Sequence, residues 1–277
     1  ILGDELIKKP GGKGANQAVS ASKLGAKTWI LGKIGNDQYG HNLEKNLLKH
    51  NVNLDYLAKI NDEQTGLAII NIDKKANNTI IVIPGVNEKV TPSDVEAARD
   101  KFSEMDSVLL QMEIPSQTVF HTINLAKKAG IRVILDPAPV SDIPDYIFKD
   151  IDILTPNLTE AEQLLGRDIA ENNYKKAAND FLAKGVGTVI FTLGKSGVYV
   201  KSTQEEFFIA GKEVESIDST AAGDCFTGAF SARYDGSNLK EAVEYANSAA
   251  ALATTRIGAQ SSIPTKEEVS NFSTENH

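Results

Sequence analysis

One cysteine, Cys225, stands in the 277-residue sequence. That excludes an intramolecular disulfide and a cysteine-rich metal cluster, and it fits a reducing, cytoplasmic setting. No apolar run approaches the ~18 residues a membrane-spanning helix needs, so no membrane partner is expected. The first residues carry Asp4, Glu5, Lys8 and Lys9 and lack a signal-peptide pattern. Positive charge is in deficit: 29 Lys and Arg face 37 Asp and Glu, a formal net charge of −8. This argues against a nucleic-acid partner, yet a nucleotide needs only a local site. The histidines, His41, His50, His121 and His277, show no metal-ligand spacing. No G-x-x-x-x-G-K-[ST] occurs, which excludes a P-loop enzyme. No G-x-G-x-x-G follows a first strand, which argues against a dinucleotide dehydrogenase. Internal repeats, low-complexity segments and interdomain linkers are missing too.

What is present is ordinary globular content, 41% hydrophobic and 24% charged, enough for one sizeable core. Residues 1–3 could be the tail of a strand. The glycines at 11, 12 and 14 precede a helix pattern that stops at Gly25. Residues 28–34 read as a buried strand and 39–50 as a helix. Residues 66–73 and 79–83 are β-rich runs joined by a polar turn, which predicts an antiparallel hairpin beside the main sheet. From residue 93 the pattern alternates. Helices are expected at 93–102, 116–129, 159–165 and 174–184, and strands at 107–112, 132–136, 151–155 and 188–193. A second hairpin follows at 198–201 and 207–209, and 239–254 keeps its apolar residues on one helical face. Strands separated by helices imply an α/β fold: a mostly parallel central sheet, helices on both faces, and a small β lid.

The stretch Asp218-Ser219-Thr220-Ala221-Ala222-Gly223-Asp224 sets two carboxylates around five small residues. Small residues admit close approach of a ligand, and a helix beginning near Gly223 would aim unpaired N–H groups at it. Such an end attracts phosphate. Asp224 stands at that same end, where those groups favour its anion. An anion cradle beside a carboxylate base suits phosphoryl transfer to an alcohol. The plain alternative is a tight turn with an Asp cap.

Ligands of such sheets bind beyond the carboxyl ends of the strands. Four motifs fall there: Gln111-Met112-Glu113, Asp136-Pro137-Ala138-Pro139, Thr155-Pro156-Asn157 with Glu160, and Thr192-Leu193-Gly194-Lys195-Ser196-Gly197. Glu113 could hold a sugar hydroxyl or be a solvated carboxylate. Asn157 and Glu160 could serve phosphate and hydrated Mg²⁺, or form a routine helix cap. Asp136 reads most simply as part of a proline turn that ends a strand. Lys13 could touch a ligand anion or lie on the surface.

With Gly-Gly-Lys-Gly-Ala-Asn-Gln-Ala at 11–18 and Asp-Ser-Thr-Ala-Ala-Gly-Asp at 218–224 both present, the chain resembles the ribokinase branch of the PfkB carbohydrate kinase family. The two stretches look like that family's N-terminal and C-terminal signatures. Gln64-Thr65-Gly66, Gly85-Val86-Asn87 and the run from Arg256 to Ser262 extend the likeness along nearly the whole chain. The resemblance implies a single ribokinase-like domain over 1–277, with lid segments near 1–12 and 64–86. It implies ATP-dependent phosphorylation of D-ribose at the 5-hydroxyl, with Asp224 as base and backbone N–H groups around Ala222 and Gly223 as anion hole. Gly12, Lys13, Gly14, Ala15, Asn16 and Glu113 would match sugar-site positions. Asn157, Thr192, Leu193, Gly194, Lys195, Ser196, Gly197, Gly223 and Asn247 would match nucleotide-site positions, and Glu160 would act on Mg²⁺ through water. A monovalent cation, K⁺, would sit among Asp218, Thr220, Ala253, Arg256, Gly258 and Ser262. The lid would also form a homodimer contact.

Family members open with a strand, a G-S-x-N-x-D-like segment whose Asp grips the sugar, and lid strands. Here ten residues precede Gly11, so an N-terminal strand and part of the lid are expected to be missing, which bears on sugar affinity and dimerisation. Ser219 and Cys225 stand where Thr is more usual. The same chemistry on deoxyribose, fructose or a nucleoside is the nearest alternative, and a non-catalytic sugar- or nucleotide-binding member is another. Every kinase reading requires Asp224 to face an open cleft shared with the Lys13 loop.

Overall fold

The computed structural model describes residues 7–72, 78–170 and 173–275. The strand tail expected at 1–3 and the turn joining the first hairpin lie outside these residues. The chain begins with α1 (Lys13–Lys23), β1 (Trp29–Gly35), α2 (Gln38–Lys49) and β2 (Asn53–Ile60), followed by the hairpin β3 (Leu67–Ile72) and β4 (Asn78–Ile83). Next come α3 (Pro92–Ala97), α4 (Arg99–Phe102), β5 (Ser107–Leu110), α5 (Ser116–Ala129), β6 (Arg132–Leu135), α6 (Asp145–Phe148) and β7 (Ile153–Leu154). The C-terminal part comprises α7 (Leu158–Leu165), α8 (Tyr174–Ala183), β8 (Thr188–Thr192), β9 (Gly197–Ser202), β10 (Glu206–Ala210), α9 (Ala222–Arg233), α10 (Leu239–Thr254) and α11 (Lys266–Glu275).

Among the described residues the main sheet has six strands in the order β10-β9-β8-β7-β6-β5. Strands β5 to β8 run parallel, β9 pairs antiparallel with β8, and β10 pairs antiparallel with β9. Alternation along the strands splits the core in two, because successive side chains point to opposite faces. Val133, Leu135, Val189 and Phe191 pack with α5 and α8 on one face. Ile134, Ile190, Val198 and Val200 pack with α1, α9 and α10 on the other. This is the expected layered α/β architecture.

Several local expectations are corrected. The helix expected at 93–102 breaks at Ala98, whose φ of −96° and ψ of 2° leave the helical region. Val95, Ala98 and Phe102 still share a buried face, so periodicity hides the break. Strand β2 was not expected; it pairs parallel to β1 through the crossover α2. Its half-exposed residues follow no clean alternation. The C-terminal α11 was likewise unexpected: its buried apolar anchor is Val269, in a polar sequence. Only Ile153 and Leu154 of the strand expected at 151–155 join the ladder.

Helices α1 and α9 meet along small residues. A Cβ at Gly228 would lie 2.5 Å from Ser20 Cβ and 2.6 Å from the Gln17 carbonyl oxygen. The hydroxyl of Ser20 donates to the Cys225 carbonyl at 2.9 Å and closes the seam. Gly228→Ala therefore forces the helices apart, and it is expected to destabilise the protein by about 1–3 kcal/mol, read as a lowered urea midpoint at unchanged m.

Candidate active site

The same seam brings the N-terminal end of α1 to that of α9, over the carboxyl ends of β6, β7 and β8. Between them lies a cleft of about 200 Å³, lined by Lys13, Asp136, Thr155, Asn157, Glu160, Thr192 and the turn that opens α9. Asp224 lines it as well. The required open space between Asp224 and the Lys13 loop is present.

Asp224 is held rather than free. Its Oδ2 accepts from Asn16 Nδ2 at 2.8 Å and its Oδ1 from Gln17 Nε2 at 3.2 Å. The Lys13 ammonium stands 3.6 Å from Oδ1. Gly12, at a φ of 89°, precedes α1 in a conformation that L side chains rarely adopt. It delivers the Lys13 N–H to Glu113 Oε2 at 2.8 Å. Gly14 and Ala15 lie in the first turn of α1, and a Cβ at Gly14 would come within 3.1 Å of Gln111 Oε1. Of the expected sugar-site residues Gly12–Asn16 and Glu113, Lys13 lines the cleft with Asp224, and the others lie next to it without lining it. Lys13 is an ion-paired residue, not a free surface lysine.

The turn before α9 is tied from behind. The N–H groups of Ile217 and Asp218 donate to the Thr254 carbonyl at 2.8 and 3.0 Å. Asp218 accepts from the Thr220 N–H at 2.9 Å and from the Gly258 N–H at 2.8 Å. Ala221 follows at a φ of 61°, a left-handed conformation rare for alanine. The N–H of Ala222 donates to Ser219 at 3.1 Å, so this expected anion-hole donor is occupied. The open first-turn donors lie one residue on, at Gly223 and Asp224. Gly223 has no atom within 4 Å of where a Cβ would stand, which leaves the cleft clear.

Asn157 and Glu160 do form the helix cap. Asn157 Oδ1 accepts from the Glu160 N–H, and Glu160 Oε2 accepts from the Asn157 N–H, both at 2.8 Å. They also line the cleft, so the structural and functional readings coexist. After β8, Gly194–Ser196 form an exposed 3₁₀ turn containing Lys195, and Leu193 N–H closes it onto Gly197 at 2.9 Å. Asn247 stands apart from the cleft lining, and its amide donates to the Ala210 carbonyl at 2.9 Å. Of the residues expected around K⁺, Asp218 accepts from Thr220 and Gly258, Ala253 lies in the last turn of α10, and Arg256 and Ser262 belong to the stretch that follows that helix. Arg256 spends its guanidinium on Glu268, leaving its backbone carbonyl for such a role. Ser262 Oγ donates to the Ala259 carbonyl at 2.8 Å.

Burial shapes the charges. Burial pushes Glu113 and Glu160 upward, partly offset by the N–H groups of Lys13 and Asn157 respectively. Burial also pushes Asp136 up, to about 7, with the charges of Asp224 and Glu160 acting alongside and Lys13 opposing. Burial alone would lower Lys13, but the carboxylates of Asp224, Asp136, Glu160 and Glu113 win and raise it. Sequence reasoning gave Gln17 and Thr227 no site role, and it placed Asp136 and Thr155 at the ligand rim without assigning either a task in the site. Gln17 lies one helical turn after Lys13, and Asp136 and Thr155 directly follow strands. Those placements are the available signals.

The Asp218 clamp gives a stability prediction. Burial raises this carboxyl, but hydrogen bonds from Thr220 and Gly258 outweigh it and hold it below its ordinary range. Its contribution is therefore present above the unfolded value of 3.8 and is lost as pH falls through the folded one. Asp218→Ala should lower the unfolding free energy by about 1 kcal/mol at neutral pH, given partial exposure. In denaturant titrations that difference should shrink below about pH 4.

An aspartate fixed beside open helix N-terminal amides, in a cleft at the strand ends, defines a phosphotransferase that acts on an alcohol. The profile of the pfkB family carbohydrate kinases matches residues 2–266. A ribokinase of Haemophilus influenzae is 39% identical over 264 residues, covering 95% of this chain and 86% of that protein. The crystal structure of a Thermotoga maritima ribokinase superposes with a TM-score of 0.87 at 39% identity, covering 95% of this chain and 87% of that one. An Arabidopsis thaliana ribokinase complexed with ribose and ATP superposes with a TM-score of 0.86 at 32% identity, covering 95% and 86%. The chain belongs to the pfkB family of carbohydrate kinases.

Proposed function

We propose that this chain is a ribokinase, transferring the γ-phosphoryl group of ATP to the 5-hydroxyl of D-ribose. The observation that carries the chemistry is the Asp224 carboxylate, held by Asn16 and Gln17 next to the open amides of Gly223 and Asp224 itself. The pentose as acceptor rests on the likeness to ribokinases together with the placement of the Gly12–Asn16 stretch and Glu113 beside the cleft.

In this reading the sugar lies against α1, and its 5-hydroxyl points at Asp224. The hydroxyl oxygen attacks the γ-phosphorus, the bond from that phosphorus to the bridging oxygen breaks, ADP leaves, and the hydroxyl proton passes to Asp224. The first-turn amides face the charge on the transferring group. Positioning by Asn16 and Gln17 fixes which carboxylate oxygen meets the hydroxyl. The nucleotide extends toward Asn157, Thr192 and the 193–197 turn. Glu160 fits an Mg²⁺ ion held through water: each of its oxygens takes one hydrogen bond from Asn157 and keeps a further lone pair. When bound, Mg²⁺ screens the triphosphate charge. The Asp218 carboxylate with the carbonyls of Ala253 and Arg256 offers hard oxygen donors suited to K⁺, which would brace the turn before α9. The site is a small-molecule one, and the reading places the protein in the cytoplasm. The hairpin exposes Ile69, Ile70, Ile81, Val82 and Ile83, an apolar surface that supports a homodimer through the lid.

Asp224→Asn should leave ATP affinity by calorimetry nearly unchanged and lower kcat by about 10²–10⁴-fold. Wild-type turnover in that variant would end the assignment. A panel of ribose, 2-deoxyribose and fructose with ATP tests the acceptor, and the highest kcat/KM is expected for ribose. Glu160→Gln keeps an oxygen to accept from the Asn157 backbone N–H but gives up the acceptor for Asn157 Nδ2, so thermal stability should fall only slightly while the Mg²⁺ concentration needed for half-maximal rate rises several-fold.

A further inference from the structure

Asp136 is a buried carboxylate, 5% exposed, to which the transfer chemistry above assigns no task. Its turn explains one oxygen: Oδ1 accepts from the Ala138 N–H at 3.2 Å. The other oxygen faces the cleft and collects two donors that Asp224 also uses. Gln17 Nε2 lies 2.8 Å from Asp136 Oδ2 and 3.2 Å from Asp224 Oδ1. Lys13 Nζ lies 3.4 Å from Asp136 Oδ2 and 3.6 Å from Asp224 Oδ1. Both bridging groups sit nearer Asp136. The Gln17 amide cannot turn away, because its Oε1 accepts from Gln111 Nε2 at 2.5 Å.

We propose that Asp136 is a positioning residue of the transfer site: it anchors Lys13 and Gln17 beside Asp224 and draws the Lys13 charge away from the base. This rests on the kinase reading of the same cleft. Paired with Asp224 alone, the Lys13 ammonium would have a single anchor in the cleft. Shared between two carboxylates, the same ammonium orients the base without neutralising it. A residue needed only for the proline turn would not require a second, charged oxygen. Asparagine could accept from Ala138 equally well, and the buried charge is costly unless it serves the site.

The groups facing Asp136 are Lys13 and Gln17 from α1, Asp224 from α9 and Glu160 from α7, and Glu113 acts on Lys13 from the loop after β5. Burial, with Asp224 and Glu160, pushes the Asp136 carboxyl up to about 7. As pH falls through that value Asp136 takes a proton and its hold on Lys13 weakens, leaving the ammonium to Asp224.

The experiment is the pH profile of kcat for wild type and Asp136→Asn, with ribose and ATP at saturation. Wild type should lose activity on the acid side with a midpoint near 7. Asp136→Asn should fall about 10- to 100-fold in kcat at pH 8, with KM for ATP little changed and the limb near 7 abolished. A variant that keeps wild-type kcat, or keeps the limb at the same midpoint, overturns the proposal. Should Asp136→Asn fail to fold by circular dichroism, the wild-type profile decides, because a flat kcat from about pH 6 to 8 rejects the role. No sugar-dependent ADP release by wild type would instead reject the kinase reading, and the proposal with it.

Discussion

Helices α1 and α9 touch where Gly228 leaves no room for a methyl group, and the hold of Asn16 and Gln17 on Asp224 depends on that contact. Asn16 and Gln17 reach Asp224 from one helix to the other across 208 and 207 residues of chain. Such short side chains can bridge only when the backbones are close. Small residues in both helices permit this closeness and give up side-chain packing to obtain it. The lost packing is recovered at the flanks, where Val19, Phe226 and Phe230 bury against the second face of the sheet. The sheet supplies the other half of the geometry. Parallel strands β6, β7 and β8 end together, so Asp136, Thr155 and Thr192 arrive at one rim beneath the two helix ends.

The electrostatics of the cleft run against its ligand. Glu113, Asp136, Glu160 and Asp224 surround Lys13, so carboxylates outnumber the cation where a triphosphate must enter. A small molecule of high negative charge is accommodated there by directed donors, not by net charge. The first turn of α9 offers N–H groups and its dipole, and a divalent cation brought by the nucleotide would offset the acids. The acid excess holds Lys13 protonated and in place. It also makes the site dependent on how that one ammonium is shared.

The alternation of strands and helices after residue 93, the hairpins and helix α10 were legible in the sequence because their periodicity is strong. The strand ends that line the cleft were legible for the same reason, and the signature stretches at 11–18 and 218–224 marked the two helix ends. Strand β2 was not legible, since its residues are half-exposed and mix charge with apolar side chains. Neither was the role of Gln17 and Asp136. A glutamine inside a helix and an aspartate before a proline each have a sufficient local explanation, and only the meeting of α1 with β6 and α9 gives them a shared one. Lys13 was read both ways, and its ion pairs with two carboxylates decide it.

The start of α9 is fixed more tightly than a helix end usually is. Thr254 receives the N–H groups of Ile217 and Asp218, while Asp218 grips Thr220 and Gly258, so the turn is lashed to the end of α10 before the helix begins. Ala221 then adopts a left-handed conformation that alanine would not choose alone. The strain has a geometric result: Ala222 turns its N–H back onto Ser219, and the first open amides are those of Gly223 and Asp224. Were the turn to relax by one residue, Ala222 would open toward the cleft. The helix would then rotate by about 100°, carrying the Asp224 carboxylate away from Asn16 and Gln17. The loop around Gly258, 40 residues downstream of Asp218, thus helps to hold the turn from which the base and the amides face the same point. Asp218 and Gly258, which tie the turn, themselves stand outside the cleft lining.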